Sequence, residues 1–157
     1  MRRLGLTALF AAAALAPAAA AVGALSPSAY RAQANAACAK ANKQRKALGQ
    51  LENASSPEIV KWVAAGLVIS RQTYATLRAL RPPASLAAAH RRALGLEAQE
   101  IAIVAGELKQ MQAGADPDKV MAKSGLTALR LYGREVSAWA AAGVAVCASG
   151  GISVSTG

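Results

Sequence analysis

The sequence predicts an all-α protein: an antiparallel up-down-up-down four-helix bundle, with an N-terminal signal peptide and one disulfide. Three observations lead there. A serine or aspartate followed by proline recurs at "SP", "SSP" and "DP", and "RPPAS" adds a proline pair, all of which read as helix boundaries. Between these signals apolar and small residues return every three or four positions. No alternating apolar–polar run is long enough for a sheet, and alanine, the best helix former, dominates the composition.

The first 24 residues read as the signal peptide. Arg2 and Arg3 form a positive start, residues 4–15 an apolar stretch, and Val22-Gly23-Ala24 a small-residue cleavage site after Ala24. The segment is too short and alanine-rich for a durable membrane anchor. A lipoprotein leader is excluded, because Cys38 follows Asn35-Ala36-Ala37 and comes after Arg31. The mature chain is therefore expected outside the cytoplasm, secreted or periplasmic. Residues 25–149 form the bundle domain and 150–157 a flexible tail.

Within the domain, Ser26 caps the first helix and Pro27 opens it; Tyr30, Ala34, Ala37, Ala41, Gln44, Leu48 and Leu51 make its stripe. Ser56, Pro57 and Glu58 start the second, whose stripe runs through Trp62, Val63, Ile69, Thr73 and Leu77 to Leu80. Pro82 and Pro83 end it. The third covers about 84–113, with Leu86, His90, Ala93, Glu97, Ile101, Val104, Leu108 and Met111 inward, and Gly114 closes it. Asp116, Pro117 and Asp118 start the fourth, which is expected to reach about Cys147.

Cys38 on the first helix and Cys147 at the end of the last are the only cysteines. In an oxidising compartment they read as one bridge between neighbouring helices. A straight fourth helix would carry Cys147 roughly 45 Å from its start, against about 21 Å between Cys38 and the end of the first helix near Glu52, a mismatch of about 24 Å. The weakest point of that helix is Ser124-Gly125, so a break is expected there, with 116–123 folded aside as a short separate helix.

Three segments, "YRAQANAACAKANKQRKAL", "LRALRPPA" and "GVAVCA", resemble a group of small exported two-cysteine helical proteins of unknown function from high-GC, actinobacterial-type bacteria. The resemblance covers most of the mature chain. It implies the bundle and the Cys38–Cys147 pairing, and it implies no catalytic residues.

The residues themselves argue against an enzyme and supply no cofactor set. A di-metal carboxylate bundle needs two Glu-x-x-His pairs, and this chain has one histidine with no glutamate three positions before it. Glu97, Glu100 and Glu107 read as solvated partners of bases such as Arg92 and Lys109. Haem attachment through Cys-x-x-Cys-His is absent. His90 and Met111 are too far apart on one helix to share an iron; Met121 is the one remaining partner. His90 reads as a partly exposed residue resting on alanines, with pH sensing as its functional option. Neither a nucleophile elbow nor a phosphate loop is present. The uncharged run 136–154 reads as a buried helix end plus tail rather than a membrane span.

What remains is charge. Eighteen Lys and Arg face eight Asp and Glu, a formal +10. Lys40, Lys43, Arg45 and Lys46 cluster on the first helix, Arg71, Arg78 and Arg81 along the second, and Arg91 with Arg92 at the start of the third. These are the candidate anion-binding residues. Aromatics do not interleave with them, and export removes most nucleic acid, so an anionic membrane or cell-wall polymer is the expected partner. The expected function is thus that of a non-enzymatic envelope protein. The alternative is a carrier of a small apolar ligand or cofactor, haem included, in a cavity among alanines near Trp62, Tyr74 and Trp139.

Overall fold

The computed structural model describes residues 23–149. The leader through Val22 and the tail 150–157 lie outside the described residues. Among those described, regular structure is helical throughout: α1 (Pro27–Ala47), α2 (Ser56–Ala79), α3 (Ala84–Gln112), α4 (Pro117–Ala141) and a short α5 (Ala145–Ala148).

The helix starts follow from their capping chemistry. Ser26 Oγ accepts from the Ala29 backbone N–H at 3.2 Å. Asp116 accepts from the Asp118 N–H at 3.0 Å. At α2 the cap is Ser55 rather than Ser56: the Glu58 carboxylate accepts from the Ser55 N–H at 2.7 Å and from its hydroxyl at 2.6 Å. Those bonds hold the Glu58 carboxyl below its usual range. The first helix stops at Ala47, short of the expected Glu52, because Gly49 adopts φ +75° and turns the chain away.

Helices α1 and α2 run in opposite directions, and so do α3 and α4. The Leu25 N–H donates to the Arg81 carbonyl at 2.9 Å, and Trp62 Nε1 donates to the Gly49 carbonyl at 3.1 Å, so each end of α1 lies beside the opposite end of α2. Glu107 of α3 meets Ser124 of α4, while Ala88 and Ala89 surround one hollow with Ser137 and Ala138.

The core divides into two clusters. The larger gathers Tyr30, Cys38, Leu77, Leu86, Leu96, Leu131, Trp139 and Val144; the smaller is Val63, Met111 and Val120. Tyr30, Leu77, Leu86, Val63 and Met111 lie on the stripes read from the sequence; Cys38, Leu96, Leu131, Trp139, Val144 and Val120 are additions to them.

Helix α4 departs from expectation. It runs unbroken through Ser124 and Gly125, and no separate helix forms at 116–123. Ser124 bonds back to the Val120 and Met121 carbonyls of its own helix. The reversal comes later, at Gly143, with φ +70°. The Gly143 N–H donates to the Ala140 carbonyl at 2.9 Å and the Val144 N–H to the Trp139 carbonyl at 3.0 Å, the paired bonds of a Schellman cap. Val144 packs beside Trp139, as that cap favours. The chain then folds back as α5, where the Val146 N–H donates to Asn35 Oδ1 at 2.9 Å.

This fold-back absorbs the length mismatch. Cys38 and Cys147 are bonded with their Cα atoms 5.3 Å apart. The bridge therefore joins α1 to α5, and not to the last long helix as expected.

The two glycines should respond oppositely to alanine. Gly125 has open space where a Cβ would sit, so Gly125→Ala should stabilise by about 0.5–1 kcal/mol. At Gly143 a Cβ would meet Arg31 Nε at 2.5 Å and force a left-handed alanine, so Gly143→Ala should cost about 1–2 kcal/mol. Thermal melts of the two variants check the sign of each.

Candidate functional site

The described interior holds one polar cluster. Glu97 and Glu100 project from α3, Glu135 from α4, Arg45 from α1 and Ser70 from α2. Glu97 is only 8% exposed and Glu100 is half-buried. This corrects the expectation that Glu97, Glu100 and Glu107 are solvated partners of Arg92 and Lys109. Glu107 is itself half-buried and bonded to Ser124.

Burial sets the protonation of these groups. Removal from water pushes the Glu97 carboxyl up to about 8, and the nearby Glu135 adds to the shift. Glu100 is also raised to about 8 by burial and by Glu135, and Glu135 is raised by burial. Near neutral pH Glu100 is therefore protonated and donates to Glu135. Trp139 Nε1 donates to the same Glu135 at 3.0 Å. Arg45 opposes all three shifts and donates to Ser70 Oγ at 3.1 Å. Glu135 thus accepts from two donors, Glu100 and Trp139, which together with Arg45 offset part of the upward push of burial. Glu97 Oε2 and Glu100 Oε1 have no hydrogen-bond partner. No group of three or more His, Cys, Asp or Glu among the described residues is arranged to hold a metal ion.

His90 is buried, at 4% exposure, and not partly exposed as expected. Its Nδ1 shares a 2.9 Å hydrogen bond with the Tyr30 hydroxyl, and its ring meets Tyr30 and Trp139 edge-on at 5.5 and 5.9 Å. Burial, helped by Arg91, lowers its proton affinity, so it takes up a proton at lower pH than a free histidine does. Desolvation raises the Tyr30 hydroxyl in turn. Met121 packs in the other cluster, so the structure does not bring it to His90.

The candidate anion-binding residues divide. Lys40, Lys43, Lys46, Arg71, Arg78, Arg81, Arg91 and Arg92 are all exposed. Arg45 leaves the set, since it turns inward toward the glutamates. The exposed acids are Glu52, Glu58, Asp116 and Asp118. With the other four carboxyls buried or half-buried, the surface is more basic than the sequence totals suggest.

Neither of the two hollows seen among the described residues is lined by Trp62, Tyr74 or Trp139. Trp62 belongs to the smaller cluster and Trp139 to the larger. The two hollows lie elsewhere. One, of about 340 Å³, follows the α3–α4 groove past Gly106, Glu107 and Ser124; the other, of about 270 Å³, lies between Ala88, Ala89, Arg92, Ser137, Ala138 and Ala141. Leu126 and Leu129 stand exposed on α4. No helix among the described residues is long and apolar enough to cross a membrane.

Comparison with known proteins adds nothing to this geometry: no family model, no curated protein and no solved structure matches the chain.

Proposed function

We propose that this chain is an exported, non-enzymatic protein of the cell envelope whose exposed bases bind an anionic surface. The observation that carries the proposal is the asymmetry of its charges. Every Lys and Arg of the described residues except Arg45 is exposed, whereas Glu97, Glu100 and Glu135 are drawn into the interior. A surface of that kind attracts anions over roughly a Debye length, about 8–10 Å at physiological salt.

Export is supported by the leader, 1–24, and by the Cys38–Cys147 bridge, which persists in oxidising compartments. The non-enzymatic reading is supported by the fate of the reactive groups. Both cysteines are consumed in the bridge, and the single histidine is buried against Tyr30 and Trp139. The same reading takes α1–α4 as an up-down-up-down bundle that α5 closes, in line with the opposed neighbours described above.

Sedimentation of the secreted chain with anionic vesicles and with wall fragments, at rising salt, tests the proposal. Binding to at least one of them should weaken by tenfold or more from low to high salt. Absence of salt-sensitive binding to both rejects it.

A further inference from the structure

Charge is not spread evenly along the bundle. One end is built from the α1–α2 and α3–α4 joints and carries Glu52, Glu58, Asp116 and Asp118, with Lys46, Lys61 and Lys119 among them. The other end is built from the start of α1, the Pro82-Pro83 joint and the α4–α5 turn. The segments that form it, 23–36, 74–92 and 136–149, contain no Asp or Glu. Their bases are Arg31, Arg78, Arg81, Arg91 and Arg92, all exposed and all arginine.

Arginine differs from lysine in what it recognises. Its planar fork donates two parallel hydrogen bonds to a phosphate, and it is the more weakly hydrated cation. At this end Arg92 and Ser137 border the 270 Å³ hollow, whose remaining lining is Ala88, Ala89, Ala138 and Ala141. A guanidinium and a hydroxyl beside an alanine floor suit a phosphodiester with apolar substituents.

The chain also enters the fold here. Leu25 is fixed to the Arg81 carbonyl, and the residues from Leu4 to Val22 that precede this entry carry no charge. Until the leader is cleaved after Ala24, this end is therefore the one held at the bilayer that receives it, and the arginine-bordered alanine hollow suits a phospholipid there better than a hydrophilic wall polymer or a nucleic acid.

We infer that the Pro82-Pro83 end of the bundle is a docking face for the phosphate headgroups of an anionic phospholipid membrane, with Arg78, Arg91 and Arg92 as principal contacts. This rests on the proposed envelope function and adds to it an orientation and a ligand class. Each base near such a surface raises affinity by roughly fivefold, so removing three is a large effect.

The test uses the secreted chain and vesicles of phosphatidylglycerol and phosphatidylcholine. The variant Arg78→Gln/Arg91→Gln/Arg92→Gln should lose at least about tenfold in vesicle affinity. A charge-matched control at the other end, Lys109→Gln/Lys119→Gln/Lys123→Gln, should change it by no more than about threefold. Replacing the three arginines by lysine should give an intermediate loss, since charge stays and the fork goes. Excess inorganic phosphate at constant ionic strength should leave binding in place. Equal losses in the two triple variants overturn the inference and leave the envelope function standing. So does binding to wall fragments without binding to vesicles. Displacement by inorganic phosphate overturns it too, by assigning the arginines to a free anion. If the unaltered chain binds neither surface, the envelope function itself fails. Circular dichroism shows that each variant keeps its helices, which separates lost contacts from lost fold.

Discussion

Removing the bridge with Cys38→Ala/Cys147→Ala should lower stability by about 4–5 kcal/mol, the denatured-state entropy of closing a loop of this length. The sequence separation is 109 residues, so nearly the whole domain lies inside the loop. The expected fall in melting temperature is roughly 15–25 °C. The loss is a large share of the total stability because the core is thin. The larger cluster includes Ala34, Ala93, Ala138 and Ala142, which bury little area each. Melts followed by circular dichroism, with and without reductant, check the magnitude. Loss of under about 1 kcal/mol would show that other contacts already restrain the unfolded chain. Hydrogen exchange adds a local readout: α5 spans only Ala145–Ala148, so protection of the Val146 amide should disappear before that of the long helices.

The second large effect is on pH, and its direction is unusual for carboxylates. A glutamate whose proton is held more tightly in the folded state stabilises the fold at low pH. That contribution is complete below the unfolded value and fades as pH rises toward the folded one. For Glu97 the two values are 4.5 and about 8. Each such proton changes stability by about 1.4 kcal/mol per pH unit within that window. His90 works the other way. Its lowered folded value costs stability as pH falls through the ordinary histidine range, near 6.5. The clean interval is therefore between these two regions. Stability should rise as pH is lowered from about 8 to about 6.5, and rise less steeply below, where His90 opposes the glutamates. Glu97→Gln should be more stable than the unaltered chain at pH 8 by roughly 2–4 kcal/mol and should reduce the slope. Denaturant titrations at several pH values decide it. An unaltered chain whose stability rises steadily toward pH 8 would mean that Glu97 is ionised and solvated.

Much of the fold was legible. Prolines 27, 57 and 117 sit within the first turn of their helices, and Pro82-Pro83 marks the joint. The stripes predicted Tyr30, Ala34, Val63, Leu77, Ala93 and Met111 inside, and they are. The last helix was misread because glycine was weighed only as a poor helix former. Gly125 lies mid-helix in open space, and its cost of about 1 kcal/mol is too small to break a helix that packs along its length on α3. Gly143 was the true stop, and the apolar Val144 after it was the sign of a Schellman cap.

The polar cluster was half legible. Glu97 falls four residues after Ala93 on the inward stripe, so spacing placed it inside while its charge argued for outside. Spacing won. Nothing in the sequence paired it with Glu135 or Arg45, because those meetings depend on how α1, α3 and α4 rotate against one another. The arginine-bearing end has the same origin. Arg31, Arg78, Arg91 and Arg92 are scattered along the chain, and it is the proposed up-down order of the helices that gives them a common end.

The crosslink also decides how the molecule carries mechanical load. A pull between the entry of the chain at Leu25 and its exit at Ser149 travels along α1 to Cys38, crosses the two sulfurs and leaves through Cys147. The polypeptide from Ala39 to Val146 is bypassed. A chain held at both ends can be drawn taut while the interior formed by α2, α3 and α4 stays free of tension.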